Sequence, residues 1–141
     1  MRALNLLQNR SRLGQLVLAI VWVLTVRIGL TVFSMKALRR AFMPKEVTGE
    51  LDQVAAAEVI WSVKRAAKLV PFASCLTQAM ASQIMLAKRN CPSVLHIGAR
   101  RAQDGTFAAH AWLESGSMLL IGGTRASLVA FVPLAQYPAH K

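Results

Sequence analysis

The strongest constraint on the fold lies at RNCP (89–92), where the hydrophobic period changes. Ahead of it, Leu76, Met80, Ile84 and Leu86 or Ala87 form an apolar stripe at helical spacing, predicting a helix from about Ser74 to Lys88. Behind it the pattern alternates. SVLHIGAR (93–100) places Val94, His96 and Gly98 on one side and Leu95, Ile97 and Ala99 on the other. AQDGT carries Asp104-Gly105, a strong hairpin signal, and FAAHAWLE (107–114) returns as the partner strand. SGS turns again, MLLIGG predicts a third strand, and LVAFVPLAQY, with its proline, predicts an edge strand. N-terminal helices followed by a small antiparallel sheet make an α+β domain.

Upstream, residues 13–35 are nearly all apolar, with Arg27 their only charge before Lys36. The length suffices to span a bilayer, but an arginine near the middle of a span costs about 3 kcal/mol. Basic residues flank the run on both sides (Arg10 and Arg12; Lys36, Arg39 and Arg40), which suits a helix lying at a membrane surface. A packed or surface-associated helix is therefore favoured over a span. MPKEVTG (43–49) breaks the chain at Pro44 and Gly49. The division expected is a basic, apolar helical segment over 1–44 and a core over 45–141. A second helix is predicted from about Leu51 to Leu69, capped by Thr48 or Asp52 and ended by Pro71.

The net charge of +11, with no acidic residue before Glu46, favours acidic partners: nucleic acid, anionic lipid or an acidic peptide. The basic residues are scattered, and no helix-turn-helix or zinc-finger spacing supports nucleic-acid binding. No close pairs of ligands suggest zinc. Two cysteines do not make a disulfide framework, and no signal-peptide pattern opens the chain, so a cytoplasmic setting is expected.

Two residues could carry chemistry. Cys75 falls in the first turn of a predicted helix, where free N–H groups and the helix dipole favour a thiolate and can receive an oxyanion. His110 falls on a strand, sharing one face with Ala108, Trp112 and Glu114. If the helix bearing Cys75 covers that face, a cysteine–histidine pair forms. Each residue also has a plain structural reading, as a packed thiol and a packed imidazole. Composition and spacing leave both open. Cys91, after a helix end, and His96, on the neighbouring strand, read as structural. His140 falls at a terminus expected to be disordered.

The segments SCLTQAMASQIML, VLHIGARR with QDG after it, AHAWLE and FVPL together resemble the transglutaminase-like leader peptidases of lasso-peptide biosynthesis, over roughly residues 45–134. The resemblance implies a papain/transglutaminase-like core that removes the leader from a ribosomally made lasso precursor peptide. It implies Cys75 as nucleophile, His110 as general base and Trp112 as a substrate-binding wall of the site, without metal or cofactor. The implied partners are a separate leader-recognition protein, since the chain reads as the standalone peptidase form, and an ATP-dependent lasso cyclase. The family pattern often places an aspartate twelve residues after the histidine; here that position is Gly122. Glu114 is roughly 13 Å along the strand, too far to hold the ring. The third member is then absent, or is supplied by a backbone carbonyl, an amide, an upstream acid or a partner. Two alternatives follow: an inactive scaffold that binds precursor and cyclase, or a small protein anchored in a membrane by residues 13–35.

Overall fold

The computed structural model describes residues 2–140, with side chains from residue 11 onward. Five helices and four strands follow in the order α1 (Arg2–Val32), α2 (Met35–Phe42), α3 (Gln53–Leu69), α4 (Cys75–Lys88), β1 (Val94–Arg101), β2 (Phe107–Ser115), β3 (Met118–Ile121), α5 (Arg125–Leu128) and β4 (Val132–Pro138). The change of period at RNCP is the helix-to-sheet boundary, and the expected α+β architecture is what forms.

The caps explain most of the boundaries. Asp52, one of the two residues expected to cap the second helix, accepts from the N–H groups of Val54 and Ala55 at 3.0 and 3.1 Å. Ser34 caps α2 by accepting from Ala37, which turns the chain after α1. That break, at Phe33-Ser34, has no proline or glycine to announce it. α5 was not expected either; it is a single turn closed by a capping box between Thr124 and Ser127.

α4 is the central helix, with every residue from Ala79 to Ala87 buried. α1 and α3 pack on it and on each other, and the sheet covers its remaining side through β2. Leu95, Ala111, Leu113 and Ile121 from the strands meet Met80, Ile84 and Leu86 from α4 in one core, which Ala19, Val23 and Val26 of α1 also enter. The N-terminal segment and the rest of the chain thus share a single interior.

The sheet is antiparallel in the order β3-β2-β1-β4. β1 and β2 pair without interruption from Val94↔Glu114 to Arg101↔Phe107. At the turn between them, Gly105 takes φ +86°, and the Asp104 carboxylate accepts from the N–H and hydroxyl of Thr106. Arg39 ties α2 to the far end of the sheet. Buried, it donates to Gln83 Oε1 of α4 and to the carbonyls of Pro138 and His140. The terminus near His140, expected to be loose, is held by this guanidinium.

Candidate active site

Cys75 is the first residue of α4, with Ser74 as its N-cap. The Ser74 hydroxyl accepts from the Thr77 N–H at 3.2 Å, and the Gln78 N–H makes the first helical bond, to the Ser74 carbonyl at 3.0 Å. The N–H groups of Cys75 and Leu76 therefore lie outside the helix's own ladder and face the space before the first turn. Cys75 is half-buried and packs on the edge of the helical core. Three residues earlier, Phe72 is 85% exposed in a left-handed conformation, φ +59°, with the guanidinium of Arg27 over its ring. For a bulky residue that conformation is unusual and costly.

His110 lies on β2. Its Nε2 hydrogen bonds to the backbone carbonyl of Gly122. A carbonyl oxygen can only accept, so Nε2 carries the proton and the neutral ring keeps its lone pair on Nδ1. Gly122 and Gly123 make this possible, with φ of +113° and +122° as the chain leaves β3. A carbonyl thus stands where the resembling family often has an aspartate.

Trp112 supports the imidazole from the same face. Its ring stacks against His110 at 6.3 Å and against His96 at 5.4 Å, and its outer edge covers Gly98. A side chain at Gly98 would stand 2.9 Å from that ring. Phe131 closes the other side of His110, with ring centres 5.1 Å apart. Glu114 does not serve His110; it pairs with His96 at 3.4 Å and with Arg125 at 3.2 Å. That cluster around Glu114 was not foreseen, although the pairing Val94↔Glu114 sets the carboxylate beside His96 on the neighbouring strand. Cys91 is buried with its thiol towards the Arg89 carbonyl, a packed residue as its sequence context suggested.

The alternation of β2 sorts these groups. Ala111 and Leu113 enter the core shared with α4, whereas His110, Trp112 and Glu114 share the other face. α4 therefore covers the alanine–leucine face and not the histidine face, so the helix–sheet interface does not itself join thiol to imidazole. No hydrogen bond links Cys75 and His110 among the described residues. They sit on elements in direct contact, α4 and β2. The paired part of β3 stops at Ile121, opposite Leu113, and beyond it Gly122 and Gly123 run alongside β2 next to His110.

A family model of the transglutaminase-like superfamily matches residues 20–136. That span takes in the C-terminal part of α1, the helix bearing Cys75 and all four strands, except the last residues of β4. The superfamily is typically cysteine-peptidase-like, and its fold often serves cysteine proteases and transferases. No curated protein and no solved structure matches the chain. The helix-then-sheet order, the cysteine opening α4 and the family match agree: the chain belongs to the transglutaminase-like superfamily.

Proposed function

We propose that the chain is a cysteine peptidase that cuts the leader from a lasso precursor peptide in the cytoplasm, before a cyclase closes the macrolactam. The observation that carries this reading is the tautomer of His110. With Nε2–H given to the Gly122 carbonyl, Nδ1 is left as a proton acceptor on a ring fixed between Trp112 and Phe131. Cys75 supplies the sulfur at a helix N-terminus whose N–H groups are free to receive an oxyanion.

In the reaction, His110 takes the Cys75 thiol proton as the sulfur attacks the scissile carbonyl. The tetrahedral oxyanion collapses, the amine of the core peptide leaves with the proton from His110, and the leader remains as a thioester on Cys75. Water then adds, with His110 as base, and releases the leader acid and the free thiol. The thiol must come within reach of Nδ1, and such contacts often tighten only when substrate is bound. A separate leader-recognition protein would deliver the precursor, and the ATP-dependent cyclase would consume the product.

Cleavage of purified precursor in the presence of the leader-binding partner tests this. Cys75→Ala and His110→Ala should each leave the precursor intact, and Cys91→Ala should cut normally. Cleavage that survives Cys75→Ala would overturn the assignment. The lack of a hydrogen bond between Cys75 and His110 favours a second reading, an inactive scaffold that binds precursor and cyclase. Iodoacetamide separates the two: in a scaffold Cys75 alkylates no faster than Cys91.

A further inference from the structure

α1 has two apolar faces, and only one of them is used. Ala19, Val23 and Val26 are fully buried against α3 and α4. On the opposite side Leu13, Val17, Val21, Leu24, Ile28 and Val32 are between 40% and 68% exposed. Their spacing keeps them on one line along the helix, and from Leu13 to Val32 that line runs for about 29 Å. A soluble helix carries polar residues there. Phe72 adds an apolar ring beside the stripe: it is exposed, it sits against Arg27 on the flank of the same helix, and a strained backbone holds it out. An apolar patch this long marks a surface that something covers.

The charge around the stripe names the occupant. Arg12 at one end and Lys36 and Arg40 at the other are exposed, and no acidic residue occurs before Glu46. Glu58 of α3 lies near Arg12 but is paired with Arg89, and no acid of α1 or α2 offsets the other cations. An apolar line flanked by such cations matches the boundary between anionic headgroups and acyl chains. The buried face decides how the helix lies there. Ser11–Val32 is long and apolar enough to cross a bilayer. To do so it would have to withdraw Ala19, Val23 and Val26 from the core. In addition, a side chain at Gly29 would strike Leu38 of α2, so that contact is equally close. The helix can serve a membrane without leaving the fold only by lying flat.

We infer that the chain docks on anionic membrane surfaces through the outer stripe of α1 with Phe72, its helix axis parallel to the bilayer. Phe72 lies three residues before Cys75, so docking sets the mouth of the candidate site at the lipid boundary.

The test is sedimentation of the intact protein with phosphatidylcholine vesicles, with and without phosphatidylglycerol at about one lipid in four. The protein should pellet with the anionic vesicles, and roughly tenfold less with neutral ones or at high salt. Val21→Asp with Ile28→Asp should lower binding by roughly tenfold or more while circular dichroism and melting stay unchanged, because both side chains face outward. Failure to bind anionic vesicles, or binding unaffected by the double substitution, overturns the inference. So does protein that stays with vesicles through a carbonate wash, which reports a span, or a dimer that the substitutions dissolve, which reports a second copy on the stripe. Vesicle binding reads no cleavage, so it stands or falls apart from the peptidase assignment.

Discussion

The Nε2 of His110 donates to the backbone carbonyl of Gly122, the residue at the position where a carboxylate would otherwise orient the ring. A carbonyl fixes the tautomer as a carboxylate does, but adds no full charge to stabilise an imidazolium. The arrangement needs a glycine. At φ +113° a side chain is strained, and a Cβ would stand 2.5 Å from the Cβ of Trp112 and 2.8 Å from the carbonyl of Ala111. Gly122→Ala should therefore cost about 2 kcal/mol or more in urea unfolding. Gly122→Asp, which restores the family's acid on paper, should lower cleavage instead of raising it, because the carboxylate has no room to form and displaces Trp112. Faster cleavage by Gly122→Asp would show that the position is open and the carbonyl contact incidental.

Trp112 offers a second separation of roles. As a wall touching substrate, its loss would raise KM and leave stability alone. The structure buries it to 5% exposure between two histidines, which makes it a platform for the ring. Trp112→Ala should cost about 3–5 kcal/mol of stability. The milder Trp112→Phe should lower kcat more than it raises KM, because the smaller ring holds His110 less firmly while the substrate surface is unchanged. A rise in KM alone, with an unchanged melting temperature, would return Trp112 to the substrate side.

The helix-to-sheet order, the hairpin at Asp104-Gly105, the cap at Asp52 and the placement of Cys75 on a first helical turn were legible because each is a local matter of period, turn chemistry or capping. The His110 face was legible too, as alternation alone assigns it. Which side of the sheet the helix would cover was not, since both faces of β2 carry small or apolar residues and only the whole packing chooses. The partner of His110 was equally hidden, because a backbone carbonyl leaves no signature in a sequence; the two glycines at 122 and 123 were the one trace of it. Arg39 read as one more flanking cation. Its burial depends on Gln83 and on carbonyls about a hundred residues away. The apolar run at 13–35 was plain, but its division into a used and an unused face depends on where α3 and α4 lie.

Arg39 is a buried cation held by acceptors on two other elements. Burial pulls its guanidinium below its ordinary value, opposed by the nearby Tyr137. The sign is that of a base with a lowered native value: the buried charge by itself opposes folding at neutral pH, and the bonds to Gln83, Pro138 and His140 offset it. Arg39→Met removes those bonds and leaves acceptors without donors, so it should destabilise by about 2–4 kcal/mol in urea titration. Gln83→Leu should destabilise in its own right, since its Nε2 donates to the carbonyls of Ser93 and Tyr137. The double variant should lose less than the sum of the two singles, because the Arg39–Gln83 bond is lost in both. A double variant no better than the sum of its singles would show that the two residues act independently.

The β1–β2 turn gives the chain a defined acid sensitivity. The hydroxyl of Thr106, and then its backbone N–H, hold the Asp104 carboxyl below its ordinary value of 3.8. A carboxyl with a lowered native value adds stability that is complete above the unfolded value and disappears as pH falls through the native one. Asp104→Ala should thus melt lower than the parent at pH 7, by a small margin because the group is exposed to solvent. The gap should hold down to about pH 5 and close below the ordinary carboxyl value. Thr106→Val should shrink it at every pH, because half of the turn's hydrogen bonding goes with the hydroxyl. Melting curves of the three proteins from neutral to acid read this directly, and a gap that persists undiminished at pH 2 would mean that the turn depends on the shape of Asp104 and not on its charge.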